Sequence, residues 1–262
     1  LTDIAYSPDT ACAVCTGIDS AGYVQVPGSV NPSWGMPVAL YNNQRIEAGA
    51  SLRANDALRG ELATRQLIRH VAGITLPTLS VLAVGDSITM GTGSVDMTGY
   101  AGMLPVLLDR LGVNATVTRC AQGGYTLREI EPLVPAALTA SNPDIVLVTL
   151  GTNDAAQPDL VDWQNRCSTF VYGTLLAFST RVKVVIARPA ISMPSWSTGE
   201  VTIGGYVDAI VAADTTGRVK SADMTVVPAT GTMEGWHPRD PWHLLMAQQY
   251  TDTMEKAGWL PA

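Results

Sequence analysis

Three short segments hold residues whose types suit acyl-transfer chemistry: Gly85-Asp86-Ser87-Ile88-Thr89, Ala121-Gln122-Gly123-Gly124-Tyr125-Thr126 and Leu150-Gly151-Thr152-Asn153-Asp154. Ser87 follows an apolar run, where a serine is either a nucleophile or a simple helix N-cap. Gly124 alone would be a turn residue and Asn153 alone a cap. Their combination points further. A serine that attacks a carbonyl needs donors for the oxyanion it creates, and backbone N–H groups with a side-chain amide are such donors. The serine also needs a base. The chain has three histidines. His70 falls in a helical pattern near the N-terminus and reads as a surface or packing residue. That leaves His237 and His243, in the segment Met233-Glu234-Gly235-Trp236-His237-Pro238-Arg239-Asp240-Pro241-Trp242-His243. Each has a carboxylate three residues earlier, Glu234 for His237 and Asp240 for His243. At that spacing an acid reaches the far ring nitrogen from one loop. The residues alone leave both dyads open.

The elements that must position these residues are legible as alternation. Segments 80–84, 114–119, 144–150, 182–187 and 224–227 are β-branched, bounded by Gly, Asp, Asn or Pro, and read as five strands. Segments 100–111, 127–140, 160–178 and 206–218 between them suit helices, as does 244–257 after the last. This βαβ order predicts a five-stranded parallel sheet covered by helices on both faces, a three-layer α/β/α sandwich. Ligands bind at the carboxyl ends of the strands in such sheets, and all three candidate segments begin at such an end. Composition changes near residue 78. Residues 1–50 are rich in Gly, Pro, Ser and Asn, and Ser51 then stands in N-cap position before an amphipathic helix ending at Val71. The reading is an N-terminal extension over 1–78, irregular with short β segments and a helix that packs on the main domain, followed by a catalytic domain over 79–262. Gly91-Thr92-Gly93-Ser94 reads as a flexible loop beside the site. It lacks the Lys of a phosphate loop.

Composition excludes several classes. The 262 residues are 47% hydrophobic and 15% charged, enough apolar surface for a packed core. The net charge of −7 and the absence of a basic cluster argue against a nucleic-acid partner. No apolar run approaches the roughly 18 to 20 residues of a membrane span. Cys12 and Cys15 form a C-x-x-C without a second pair at zinc-ligand spacing, and Cys120 and Cys167 stand apart. A disulfide at the extension or plain thiols fit better, and the even cysteine count leans towards a secreted or cell-surface protein. There is no Gly-x-Ser-x-Gly, no His-Glu-x-x-His and no dinucleotide fingerprint.

The segments resemble the four blocks of the SGNH, or GDSL, hydrolases: Gly-Asp-Ser-Ile-Thr at 85–89, Gly-Gly-Tyr-Thr at 123–126, Gly-Thr-Asn-Asp at 151–154 and an acid-x-x-His near the C-terminus, in order over residues 80–258. The resemblance implies a flavodoxin-like SGNH fold. It implies Ser87 as nucleophile and an oxyanion hole made by the N–H groups of Ser87 and Gly124 and the side-chain amide of Asn153, with Asp86 holding the loop. In the family the histidine often precedes a Pro and, in the final helix, an apolar pair. Pro238 follows His237 directly, and Met246-Ala247 stand nine and ten residues after it. That spacing favours His237 and makes Glu234 its acid, a departure from the usual Asp. Asp240 then caps the last helix, whereas strict Asp-x-x-His matching selects Asp240 and His243. Trp196, Trp236 and Trp242 either wall a site for an acyl chain or sugar ring or pack at the helix–sheet edge. The implied activity is that of a serine esterase, hydrolysing short-chain acyl or carbohydrate O-acetyl esters through an acyl-enzyme. Lysophospholipase or thioesterase activity is the second reading, and a catalytically silent binding module the third. No metal or organic cofactor is implied, and the partner is a small-molecule or carbohydrate ester.

Overall fold

The computed structural model describes residues 57–190, 197–228, 231–233 and 235–261, together with an antiparallel pair, β1 (Gly17–Ile18) and β2 (Val24–Gln25). The chain divides into two compact units, Leu1–Ala54 and Asn55–Ala262. Helix α1 (57–72) therefore belongs to the second unit rather than to the segment before it. The expected N-cap Ser51 lies outside the described residues.

In the second unit, β3 (Thr78–Gly85), β4 (Asn114–Ala121), β5 (Ile145–Thr149), β6 (Lys183–Arg188) and β7 (Val219–Asp223) form one parallel sheet in the order β4-β3-β5-β6-β7. Side chains alternate across it. Leu79, Val81 and Ala83 of β3 join one core with α3 (Gly99–Arg110) and α9 (Asp240–Lys256). Leu82 and Val84 join a second core with α4 (Leu127–Ile130), α5 (Val134–Ser141), α6 (Leu160–Thr169), α7 (Leu176–Phe178) and α8 (Ser197–Ala212). All five residues of β5 are buried, as expected of a parallel strand covered on both faces. The chain leaves β3 for β4 on one side and later enters β5 on the other, so a crevice opens at the carboxyl ends between them. In the register, Gly85 pairs with Ala121 and with Thr149. All three candidate segments thus leave the sheet from one row.

Several elements differ from the sequence expectation. The fifth strand is 219–223, not 224–227. As an edge strand it buries only Val219 and Ala222, so its apolar signal is weak, while Met224 and Val227 reach the core from the turn that follows. The helix expected over 206–218 is α8, Ser197–Ala212, whose periodicity is diluted by glycines. Gly199 is needed for packing, because a Cβ there would overlap the Ala155 carbonyl oxygen. The segment 127–140 breaks into α4, a 3₁₀ turn (Glu131–Leu133) and α5, since Pro132 and Pro135 have no N–H to donate. The helix expected over 160–178 carries a π segment, Phe170–Leu175, between α6 and α7.

Helix α1 is attached through charge. Arg59 pairs with Asp96, Arg69 with the buried Asp109, and Glu61 takes hydrogen bonds of 3.0 and 2.6 Å from Arg110 and 2.9 Å from Arg65. The hydrogen bonds from Arg110 hold the Glu61 carboxyl down at about 2. Leu67, Ile68 and Val71 point to solvent. Cys120 and Cys167 are free thiols, and burial pushes the Cys167 thiol well above its ordinary value. Cys12 and Cys15 lie outside the described residues. Among the described residues no helix is long and apolar enough to cross a membrane.

Two glycine substitutions test this packing. A Cβ on Gly85 would overlap Thr89 Oγ1 and stand 2.5 Å from the Thr149 carbonyl oxygen, whereas one on Gly60 in α1 meets nothing within 4 Å. Gly85→Ala is expected to destabilise by about 1–3 kcal/mol through overpacking, and Gly60→Ala to stabilise by up to about 1 kcal/mol through helix propensity. Urea midpoints at constant m-value measure both, and a neutral Gly85→Ala would contradict the close approach.

Candidate active site

The site grows from the end of β3. Asp86 caps the short helix α2 (Ser87–Met90), its carboxylate accepting from the Ile88 N–H at 2.9 Å. Ser87 is the first helical residue. With no side chain at Gly85, Thr89 folds back over the strand end and opens a chain of buried hydroxyls. Thr89 lies 3.0 Å from the Tyr100 hydroxyl, Tyr100 lies 2.7 Å from Thr149, and Thr149 lies 2.5 Å from Tyr250. This chain ties α2, α3, β5 and α9 together beneath the serine.

The second and third segments are stitched to the first. The Gln122 N–H donates to the Gly85 carbonyl at 3.2 Å. A Cβ on Gly123 would stand 3.9 Å from Ser87 Cβ, and Gly124 bends the chain at a φ of 78°. The bend is held by Glu129, which accepts from the Thr126 N–H at 2.8 Å and its hydroxyl at 2.7 Å. Asn153 Nδ2 donates to the Tyr125 carbonyl at 3.0 Å and lies 3.5 Å from Asp86 Oδ2. Asp154 accepts from the Leu127 N–H at 3.1 Å.

His237 sits in a two-stranded ribbon, β8 (Thr232–Met233) with β9 (His237–Pro238). Its Nε2 lies 2.9 Å from Ser87 Oγ. The Trp236 ring stands edge-on to the imidazole, centroids 6.0 Å apart. His243 points elsewhere. It is fully buried in the first turn of α9, with Nδ1 accepting from the Tyr100 N–H at 3.3 Å and Nε2 donating to the Thr92 carbonyl at 3.1 Å. Burial pushes it down to about 4, so the ring is neutral and carries one donor and one acceptor. Asp240 is the first residue of α9, with Arg239 in the cap position. Its carboxylate accepts from the Ser94 hydroxyl at 2.7 Å and the Val95 N–H at 3.3 Å. Trp242 packs over Gly231 and against the core. Glu234 and Trp196 lie outside the described residues.

The 91–94 loop, which its glycines suggested was flexible, is held by hydrogen bonds within a segment that runs on to Thr98. Asp240 and His243 hold it from α9, Arg119 of β4 donates to the carbonyls of Met90 at 2.7 Å and Met97 at 3.1 Å, and Asp96 accepts from the Thr98 N–H at 3.0 Å. Its glycines serve φ values of 98° at Gly91 and 93° at Gly93, and a Cβ on Gly93 would overlap the Pro238 carbonyl oxygen. Arg119, Asp96 and Tyr100 had not been singled out from the sequence. Asp96-x-Thr98 carried a readable signal, the local side-chain turn.

Burial also shifts two carboxyls beside the serine. Desolvation pushes Asp86 up to about 7, with Asp154 adding like-charge repulsion, and desolvation pushes Asp154 up to about 6. A carboxyl whose folded value exceeds its unfolded 3.8 binds more protons when folded, so its contribution to stability falls as pH rises from about 4 to about 7. His243, lowered from 6.5 to about 4, acts oppositely and costs stability as pH falls through that window. Asp86→Asn is therefore expected to remove part of the stability lost between pH 5 and pH 8. Urea midpoints at both values check it, and an identical loss in variant and wild type would contradict a buried, titrating Asp86.

The GDSL-like lipase/acylhydrolase family model matches residues 83–254. A family 3 carbohydrate esterase from Clostridium thermocellum is similar in fold with a TM-score of 0.58 at 18% identity, over 68% of this chain and 96% of that one. An acetylxylan esterase from Geobacillus stearothermophilus, Axe2, solved as a catalytic mutant, gives a TM-score of 0.55 at 19% identity, over 72% and 100%. A lipase/acylhydrolase from Enterococcus faecalis gives 0.58 at 18%, over 70% and 98%. At such identities the likeness is one of fold. No curated protein sequence matches the chain significantly. The family match spans well over half of the chain and includes the Ser87, Gly124, Asn153 and His237 segments, so the chain belongs to the GDSL-like lipase/acylhydrolase family and is a carboxylic ester hydrolase.

Proposed function

We propose that the protein is a serine esterase acting on short-chain acyl esters, with carbohydrate O-acetyl groups as the natural substrate class. The observation that carries this reading is the 2.9 Å approach of His237 Nε2 to Ser87 Oγ, within reach for proton transfer. Ser87 attacks the ester carbonyl while His237 takes its proton. The oxyanion is met by the N–H groups of Ser87 and Gly124 and by Asn153. One N–H of Asn153 Nδ2 is engaged by Tyr125, and the 3.5 Å separation from Asp86 is at the outer limit of a hydrogen bond, which leaves the second N–H for the oxyanion. Each such donor is typically worth about 3 to 4 kcal/mol in the transition state. His237 then protonates the leaving alcohol, and water repeats the sequence on the acyl-enzyme. Glu234, three residues before His237, is the acid we assign to the far ring nitrogen. The sugar-ester preference draws on the carbohydrate and acetylxylan esterases of like fold, and Trp236 beside the histidine offers a ring for a sugar face.

Hydrolysis of p-nitrophenyl acetate and octanoate tests the reading. Ser87→Ala and His237→Ala should each lower kcat by at least about 10³-fold, because the pair acts as a unit. Acetate should be the better ester. Glu234→Ala should cost on the order of 10²- to 10⁴-fold. Rates independent of Ser87 would defeat the proposal, and full activity in Glu234→Ala would move the acid elsewhere.

A further inference from the structure

Between Ser87 and His237 runs a strap of chain that touches both. The Thr92 N–H donates to the carbonyl of Ser87 itself at 2.9 Å. The next residue, Gly93, lies so close to the His237–Pro238 peptide that a Cβ would overlap the Pro238 carbonyl oxygen and stand 3.2 Å from the His237 carbonyl carbon. The carbonyl of Thr92 is held from below by His243 Nε2 at 3.1 Å, while His243 Nδ1 takes the Tyr100 N–H at the start of α3. A fully buried imidazole is an expensive way to fill space, since an apolar side chain would do so without desolvation. Its return here is two backbone hydrogen bonds, one to the strap and one to the start of α3.

We infer that His243 is a positioning residue: by bridging the Thr92 carbonyl to the Tyr100 amide it fixes the Thr92–Gly93 strap, and the strap sets the approach of His237 to Ser87. This rests on the reading of Ser87 and His237 as nucleophile and base. Asp240 secures the same strap further along, at Ser94 and Val95. The two residues that form the alternative acid–histidine pair in the sequence are thereby joined in one supporting role.

The two arms of the imidazole are separable. Gln at 243 places a donor where Nε2 stands and retains the bond to Thr92. Asn places an acceptor where Nδ1 stands, retains the bond to Tyr100 and loses the strap. The test uses Ser87→Cys, in which the thiol reports the proximity of His237 through thiolate absorbance, read as a difference against the same protein with Ser87. An adjacent imidazolium should hold this thiol below about 7.5. Adding His243→Asn should return it towards about 8.5, whereas adding His243→Gln should leave it low. In the Ser87 enzyme, His243→Asn should lower kcat by about 10²-fold with little change in KM, the scale of an ångström misplacement, and His243→Gln should restore most of it. If His243→Asn does not fold, Gly93→Ala displaces the strap from its other side and should raise the thiol in the same way. A thiol that stays low in folded His243→Asn or Gly93→Ala overturns the inference alone. An ordinary thiol value in Ser87→Cys by itself overturns the Ser87–His237 pairing, and the inference with it.

Discussion

Everything at the site depends on the missing side chain of Gly85. The Cβ position it leaves vacant is occupied by the Thr89 hydroxyl, and the Thr149 carbonyl crowds the same point. Only with that space open does α2 pack against the ends of β3 and β4, with Ser87 as its first residue. Gly85 is also the residue where the register of three strands meets, opposite Ala121 and Thr149. One small residue therefore aligns the origins of the serine, glycine and asparagine segments, and hydrogen bonds among those segments complete what the sheet begins.

The segments proposed to carry the chemistry were more legible in the sequence than the scaffolding. Ser87, Gly124 and Asn153 stand in short motifs whose meaning depends on neighbours along the chain, and the βαβ alternation that sets them on one edge follows from burial on both faces of β3, β5 and β6. The edge strand β7 was displaced by a few residues because Lys220 and Ser221 need no burial there, while Met224 and Val227 imitate a strand from within a turn. The choice between His237 and His243 required knowing which imidazole faces Ser87, a three-dimensional fact to which the Pro238 and Met246-Ala247 spacing was the only guide. The hydrogen bonds that hold the 91–94 loop were hidden in the sequence for a related reason. Glycines mark flexibility and close approach alike, and the partners that decide between them, Asp240, His243 and Arg119, lie far away in sequence.

Beneath the serine the polar groups share a character. Thr89, Tyr100, Thr149 and Tyr250 form an uncharged chain, and burial drives Asp86, Asp154 and His243 each towards its neutral form. In the mechanism proposed, a negative charge developing at Ser87 therefore meets less opposition from fixed negative charge than the motif's two aspartates suggest. Such an environment requires little rearrangement as the charge appears.

The attachment of α1 carries a consequence for the working medium. Its ion pairs with the catalytic body are of unequal shelter: Arg69–Asp109 is largely enclosed, whereas Arg59 and the Glu61 cluster face solvent. Added salt screens exposed pairs far more than enclosed ones, so the pairs at the beginning of the helix weaken before the one at its end. Asp96, the partner of Arg59, belongs to the strap beside Ser87 and His237. Added salt therefore acts first on a pair whose acidic member stands in the segment beside the serine.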